Sequence, residues 1–256
     1  MTTTLTERHD PAPSTGIAGA ARTPAQWRGR ALAAVLFDLD GTLLDTAADI
    51  ALALNRATSE HGWAPLPESD VRGMIGRGAP MLVRRAAGAQ ARELDDAAHA
   101  AVLERFFHHY GALQDNDECA AQPYAGAASA LQGLHDAGLR IAVVTNKQQR
   151  FAVGLLERLG LKRWVDLVVG GDTCERRKPD PQPLQYACAQ LRVTTDQALM
   201  VGDSVNDVQA ARGAGIPVIC VPYGYNEGQD PRTLPCDALV DSLADLPALL
   251  LNPSTD

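Results

Sequence analysis

The stretch VLFDLDGTLLDT, residues 35–46, opens as a buried strand and then breaks its own pattern. An apolar run, Val35 to Phe37, ends in two aspartates, Asp38 and Asp40, separated by a single leucine. Carboxylates this close repel each other and resist loss of water. A bound cation is the leading compensation. An Asx-type turn closed by Asp40 and Gly41 accounts for one aspartate and the glycine. It does not account for Asp38 at the end of an apolar strand.

Outward from this stretch the pattern alternates. The first strand runs from Leu32 to Leu39, and a helix starts near Thr46, where Thr46 and Asp49 have the spacing of a capping box. Residues 68–88 read as helix, glycine break, helix, and residues 91–113 as a long helix by their apolar spacing. No strand is expected between Thr46 and about Gln122. Beyond it come helix 126–137, strand 139–145, helix 147–159, strand 165–171, helix 182–191, strand 198–203, helix 205–214 and strand 217–222. A last short strand covers Ala238 to Val240. Such alternation predicts an α/β fold, a doubly wound, mainly parallel, Rossmann-like sheet, with a helical cap inserted after the first strand. The expected organisation is a disordered leader over residues 1–30, a core built from 31–45 and 123–250, and a cap over 46–122.

Ligands in such sheets sit at the carboxyl ends of the strands. The chemically unusual residues fall there: Asp38 and Asp40, Thr145 and Asn146, Asp203 and Asp207. Magnesium takes hard oxygen ligands and few of them from protein. Asp38, the backbone carbonyl of Asp40 and a later carboxylate suit it. In VGDSVND the later carboxylate is Asp203, again at a strand end, with Asp207 one helical turn on. Ser204 and Asp207 also have capping-box spacing, which explains both without a ligand but leaves Asp203 unexplained. Four carboxylates need positive charge, and Lys178 in RRKPDP is placed to add it, though a lone Lys-Pro is ordinarily a solvated loop. Arg176 and Arg177 read as surface charge. The Thr145 hydroxyl and the backbone N–H groups that follow, from Asn146 on, can hold phosphate oxygens at a helix N-terminus, or simply cap the helix.

The rest of the composition narrows the class. The chain has 256 residues, 46% of them hydrophobic, with a net charge of −8. That balance argues against a general nucleic-acid binder but not against a small anionic substrate. The five cysteines are odd in number and form no C-x-x-C pair, which fits a reducing, cytoplasmic setting better than a disulfide framework. No run approaches the ~20 apolar residues of a membrane span, and no apolar signal region leads the chain.

DLDGTLLDT, VVTNK, the lysine of RRKPDP and VGDSVND, in this order, resemble the haloacid dehalogenase-like phosphatases over about residues 32–245. MIGRGAPMLVRRA, VVGGDTCERRKPDPQPL and GDSVNDVQAARGAG followed by PYGYNEG are similar to the bacterial phosphoglycolate phosphatases among them. The resemblance implies a magnesium-dependent hydrolysis of 2-phosphoglycolate to glycolate and phosphate. It implies Asp38 as nucleophile and Asp40 as general acid and base. Thr145, Asn146 and Lys178 would hold phosphate. Asp38, Asp40 and Asp203 would hold Mg²⁺, with Asp207 and Ser204 behind them. In the cap, Gly76 and Gly78 allow a tight turn around Arg77, which the resemblance suggests as a carboxylate contact; Arg84 and Arg85 are rivals for that task. Tyr223, Tyr225 and Asn226 fit the pattern without an evident role. Metal-independent dehalogenases of this fold have no use for a second aspartate. A phosphatase for another small ester such as a sugar phosphate, a phosphosugar mutase and a non-catalytic phosphate-binding regulator stay open.

Overall fold

A computed structural model of the chain describes residues 25–251. Within the expected leader, β1 (Gln26–Trp27) and β2 (Arg30–Ala31) form an antiparallel hairpin. Arg28 and Gly29 both take positive φ, 47° and 78°, as a two-residue hairpin turn requires. Ala25 and Trp27 are buried in the main core, so residues 25–30 are an ordered flap and not part of a leader. The apolar area of one tryptophan outweighs a local composition that reads as disordered. Residues 1–24 of that segment lie outside the described residues.

β3 (Ala34–Phe37) is buried on every residue. A strand covered on both faces reads as a continuous apolar run, which is why this one does. After it the chain forms β4 (Leu44–Asp45) and four helices: α1 (Ala47–Ser59), α2 (Glu68–Arg72), α3 (Ala79–Ala89) and α4 (Asp96–Asp115). It returns through β5 (Gln122–Pro123), antiparallel to β4, so the two connectors to the helical insertion run side by side. Strands of two residues carry no readable periodicity, and this ribbon was not expected.

The remainder alternates α5 (Ala127–Asp136), β6 (Arg140–Val144), α6 (Gln149–Arg158), β7 (Leu167–Val169), α7 (Gln182–Leu191), β8 (Ala198–Gly202), α8 (Val205–Ala214), β9 (Val218–Cys220), β10 (Ala238–Leu239) and α9 (Leu246–Leu251). The six sheet strands lie in the order β10-β9-β8-β3-β6-β7, all parallel. Side chains alternate across the sheet. Val35, Phe37, Val143 and Val201 face one apolar layer; Leu36, Val144 and Met200 face the other, covered by α7 and α8. β3 lies between β6 and β8, so their three carboxyl ends are neighbours.

The expected Thr46–Asp49 capping box does not form. Thr46 is the N-cap residue of α1 but makes no side-chain cap bond. Its hydroxyl donates to Asp40 Oδ1 at 2.7 Å, and Asp49 accepts from the Ala120 and Ala121 N–H groups at 2.7 and 3.1 Å. Asp49 thereby fastens the returning connector to α1. The second expected box does form: Asp207 Oδ2 accepts from the Ser204 N–H and hydroxyl at the start of α8. Among the described residues no helix is long and apolar enough to cross a membrane.

Candidate active site

Asp38 follows β3 directly, its N–H donating to Val201 O at 2.9 Å. The next turn brings the chain back beneath β8. Gly41 sits there at φ +91°, and a Cβ on it would stand 2.5 Å from Asp203 Oδ2. Only glycine lets the loop approach this closely. Thr42, next in the loop, donates from its hydroxyl to Asp203 Oδ1 at 2.8 Å.

Asp38, Asp203 and Asp207 converge, with carboxylate oxygens within 4.8 Å of one another. Lys178 Nζ lies 2.9 Å from Asp38 Oδ1 and 2.6 Å from Asp207 Oδ1. The angle to Asp38 is not that of a hydrogen bond, so Asp38 Oδ1 is buried without a donor. Burial, with the charges of Asp207 and Asp203, pushes the Asp38 carboxyl up to about 8 despite Lys178. Burial and Asp207 push Asp203 up to about 7, against the N–H groups of Tyr225 and Asn226 and the Thr42 hydroxyl. Burial works to lower the Lys178 pKa, but Asp207 and Asp38 outweigh it and raise it. One ammonium does not balance three buried carboxylates.

These observations fit a hard divalent cation. The orphaned Asp38 Oδ1 and the under-neutralised cluster both call for one. Asp207 is the least available of the three, because Lys178 holds one oxygen and Ser204 the other. Replacing Lys178 by methionine should destabilise the protein by about 3 kcal/mol, the range for breaking a buried ion pair. The loss, measured by urea unfolding, should be greater at pH 8 than at pH 6, where the stranded Asp38 carboxyl is protonated.

Asp40 lies apart from this trio. Its carboxylate accepts from Thr46 and from Lys147 Nζ, at 2.9 and 3.0 Å. Only its backbone carbonyl is left to offer a cation. Lys147 was missed as a site residue, although it ends the quoted VVTNK. It is buried against the Tyr110 ring, 4.6 Å from the centroid. Burial would lower its pKa, but Asp40 outweighs this and raises it.

Thr145 is buried at the end of β6, its Oγ1 accepting from the Lys147 N–H at 3.2 Å. The Asn146 side chain is engaged by the protein: Nδ2 donates to Gly76 O in the insertion and to Lys178 O, both at 2.9 Å. Tyr225 and Asn226 gain roles: their N–H groups donate to Asp203 Oδ2 at 2.7 and 3.4 Å, and the Tyr225 hydroxyl donates to Asp45 Oδ1 at 2.8 Å. Tyr223 donates from its hydroxyl to Thr42 O at 3.0 Å.

Asp38 and Asp40 line a cavity of about 70 Å³ between the sheet and the insertion. Ile75, Gly76 and Gly78 belong to its wall; Arg77 does not. Arg77 Nε donates to Glu227 Oε1 at 3.1 Å, and Arg85 Nη2 to Glu227 Oε2 at 2.6 Å. Glu227 comes from the loop after β9, and Asn206 Nδ2 also donates to it, at 2.9 Å. Burial would raise the Glu227 pKa, but these hydrogen bonds outweigh it and lower it. The expected carboxylate contact from Arg77 therefore does not match its position. A core glutamate, which a sequence gives no means of pairing across 150 residues, holds it.

A parallel sheet with a strand-end aspartate pair, a buried lysine and a third strand-end carboxylate, beside a helical insertion, fits a hydrolase of the α/β class. The chain belongs to the haloacid dehalogenase-like hydrolases, whose family model matches residues 35–221. It is 42% identical over 218 residues to a phosphoglycolate phosphatase of Nitrosospira multiformis, covering 85% of this chain and 95% of the relative. It is 46% identical over 218 residues to a plasmid phosphoglycolate phosphatase of Cupriavidus necator, covering 85% and 92%. Among solved structures it is similar to a predicted phosphoglycolate phosphatase from Haemophilus somnus, with TM-score 0.78 and 31% identity over 84% of this chain and 96% of that one. It is also similar to CbbY from Rhodobacter sphaeroides in complex with phosphate, with TM-score 0.71 and 26% identity over 84% and 96%.

Proposed function

We propose that this chain hydrolyses 2-phosphoglycolate to glycolate and phosphate through an aspartyl-phosphate on Asp38. The observation that carries the reading is the convergence of Asp38, Lys178 and Asp203 from three loops, with Asp38 and Asp40 lining the adjoining cavity. Relatives named phosphoglycolate phosphatase over most of the chain support the substrate.

Asp38 attacks phosphorus, forming the Oδ–P bond as the bond to the glycolate oxygen breaks. Asp40 gives that oxygen its proton. Asp40 then takes a proton from the water that attacks phosphorus and frees Asp38. Thr145 and Lys178 hold the phosphoryl oxygens in line for both displacements, which is most of what phosphoryl transfer asks of a protein. Asp38, Asp203 and the Asp40 carbonyl would hold Mg²⁺, with Asp207 and Ser204 fixing the loop behind. When bound, the cation supplies the positive charge that the three carboxylates and the phosphoryl oxygens need. Phosphate release from a panel of small esters and one sugar bisphosphate, with and without magnesium, tests the reading. Preference for any carboxylate-free ester over 2-phosphoglycolate would overturn it.

Residues 46–122 serve in this reading as a cap that closes over the cavity and excludes water. Glu227, shared by Arg77 and Arg85, holds the cap down. Glu227→Gln should lower kcat/KM roughly tenfold, the worth of about one charge-assisted hydrogen bond. The loss should be the same on esters with and without a carboxylate, because the contact is to the cap and not to the substrate. Steady-state kinetics on two such esters checks it.

A further inference from the structure

We propose that Arg177 determines specificity by holding the carboxylate of the substrate. The inference rests on the reading of the chain as a 2-phosphoglycolate phosphatase, and it replaces Arg77 in that task. Two cations line the cavity, Lys147 and Arg177. Lys147 is neutralised by Asp40. The cap arginines Arg77 and Arg85 are both paired with Glu227 and lie outside the cavity wall. Arg177 has no carboxylate partner among the described residues. Its Nε donates to Gly171 O at 2.6 Å, and its two terminal nitrogens carry no hydrogen bond to the described residues.

The Gly171 contact fixes the plane of the guanidinium and leaves its terminal edge free. A carboxylate is a planar acceptor that takes two parallel N–H bonds from such an edge. Arg177 also stands where the cap meets the core. Gly78, at φ +77° in the cap, comes so close that a Cβ on it would lie 3.6 Å from Arg177 Nη1 and 2.9 Å from Asn146 O. Arg177 is itself exposed, so its guanidinium stands at the rim of the cavity, whose walls include Leu82 and Phe106.

Adjacent positions in one loop then divide the ester between them. Lys178 is buried and faces the aspartates that handle phosphorus, while Arg177 lines the cavity that receives the other end. A substrate with an anion at each end bridges the two. An ester lacking the second anion leaves Arg177 unpaired and loses the gain.

The test compares wild type, Arg177→Ala and Arg177→Lys on 2-phosphoglycolate and on 2-hydroxyethyl phosphate, which has the same skeleton with an alcohol in place of the carboxylate. Arg177→Ala should lose about tenfold to a hundredfold in kcat/KM on 2-phosphoglycolate, chiefly through KM, and less than about twofold on 2-hydroxyethyl phosphate. Arg177→Lys should recover only part of the difference, as a point charge without the fork. Equal losses on both esters, or no loss on either, would overturn the assignment while the substrate reading stands. A wild-type enzyme without preference for 2-phosphoglycolate would overturn the substrate reading, and this inference with it. Thermal melting of both variants separates a folding defect from a lost contact.

Discussion

Asp38→Asn should lower kcat by on the order of 10⁴-fold or more, the scale expected when the nucleophile of a covalent mechanism is removed. The same change should stabilise the metal-free protein. The Asp38 carboxyl is pushed up to about 8 from 3.8, mainly by burial. Between roughly pH 4 and pH 8 the folded state therefore binds more protons at this site than the unfolded state does. Stability then falls as pH rises through that window. A neutral asparagine removes that slope. Lys178 keeps Asp207 at 2.6 Å and is not stranded. The melting temperature of the variant, in chelator, should exceed that of wild type by a margin that grows from pH 5 to pH 8. Turnover by purified Asp38→Asn protein near the wild-type rate would remove Asp38 from the chemistry. A variant that melts lower at every pH would show that its charge is compensated in the native site.

The positions of the strand-end residues were legible because each is a break in a strong pattern. Asp38 ends a strand buried on both faces, and Asp203 ends another. In a parallel sheet such ends share one side, so two breaks in the pattern predict one site. The core helices were legible for a related reason: α7 and α8 span the expected 182–191 and 205–214. What stayed hidden was pairing at long range. Nothing local says that Lys147 meets Asp40 across 107 residues, or that Glu227 takes both Arg77 and Arg85. Thr46 shows the same limit within six residues. Its spacing to Asp49 supports a cap, but the carboxylate of Asp40 competes for its hydroxyl and wins. The hydroxyl is oriented to donate to that charge, and the cap bond, in which its oxygen would accept from a backbone N–H, is not made. Asp203 depends on the Tyr225 N–H, and a backbone donor leaves no trace in residue type.

Removing divalent metal should abolish turnover, and restoring magnesium should bring it back with a measurable effect on folding. A cation held by Asp38 and Asp203 binds their ionised forms, so it must displace the protons that burial retains there. Both carboxyls titrate near neutrality without it, at about 8 and about 7. Magnesium binding at pH 7 should then release protons, visible as a dependence of the calorimetric heat on the buffer's ionisation enthalpy. Affinity should weaken as pH falls from 8 to 6, since protons compete for the same oxygens. A ligand that binds the folded state alone stabilises it by about 2.7 kcal/mol at a hundred times its dissociation constant. Wild type should show a rise in melting temperature of that origin, and Asp203→Asn should lose most of it while remaining folded. Asp207→Asn should weaken the rise less, because both oxygens of Asp207 are already held by Lys178 and Ser204. Full activity in excess chelator would refute the metal requirement. An unchanged melting temperature would show that Asp38 and Asp203 reach neutrality by protonation instead, with Lys178 the one lasting positive charge at Asp38.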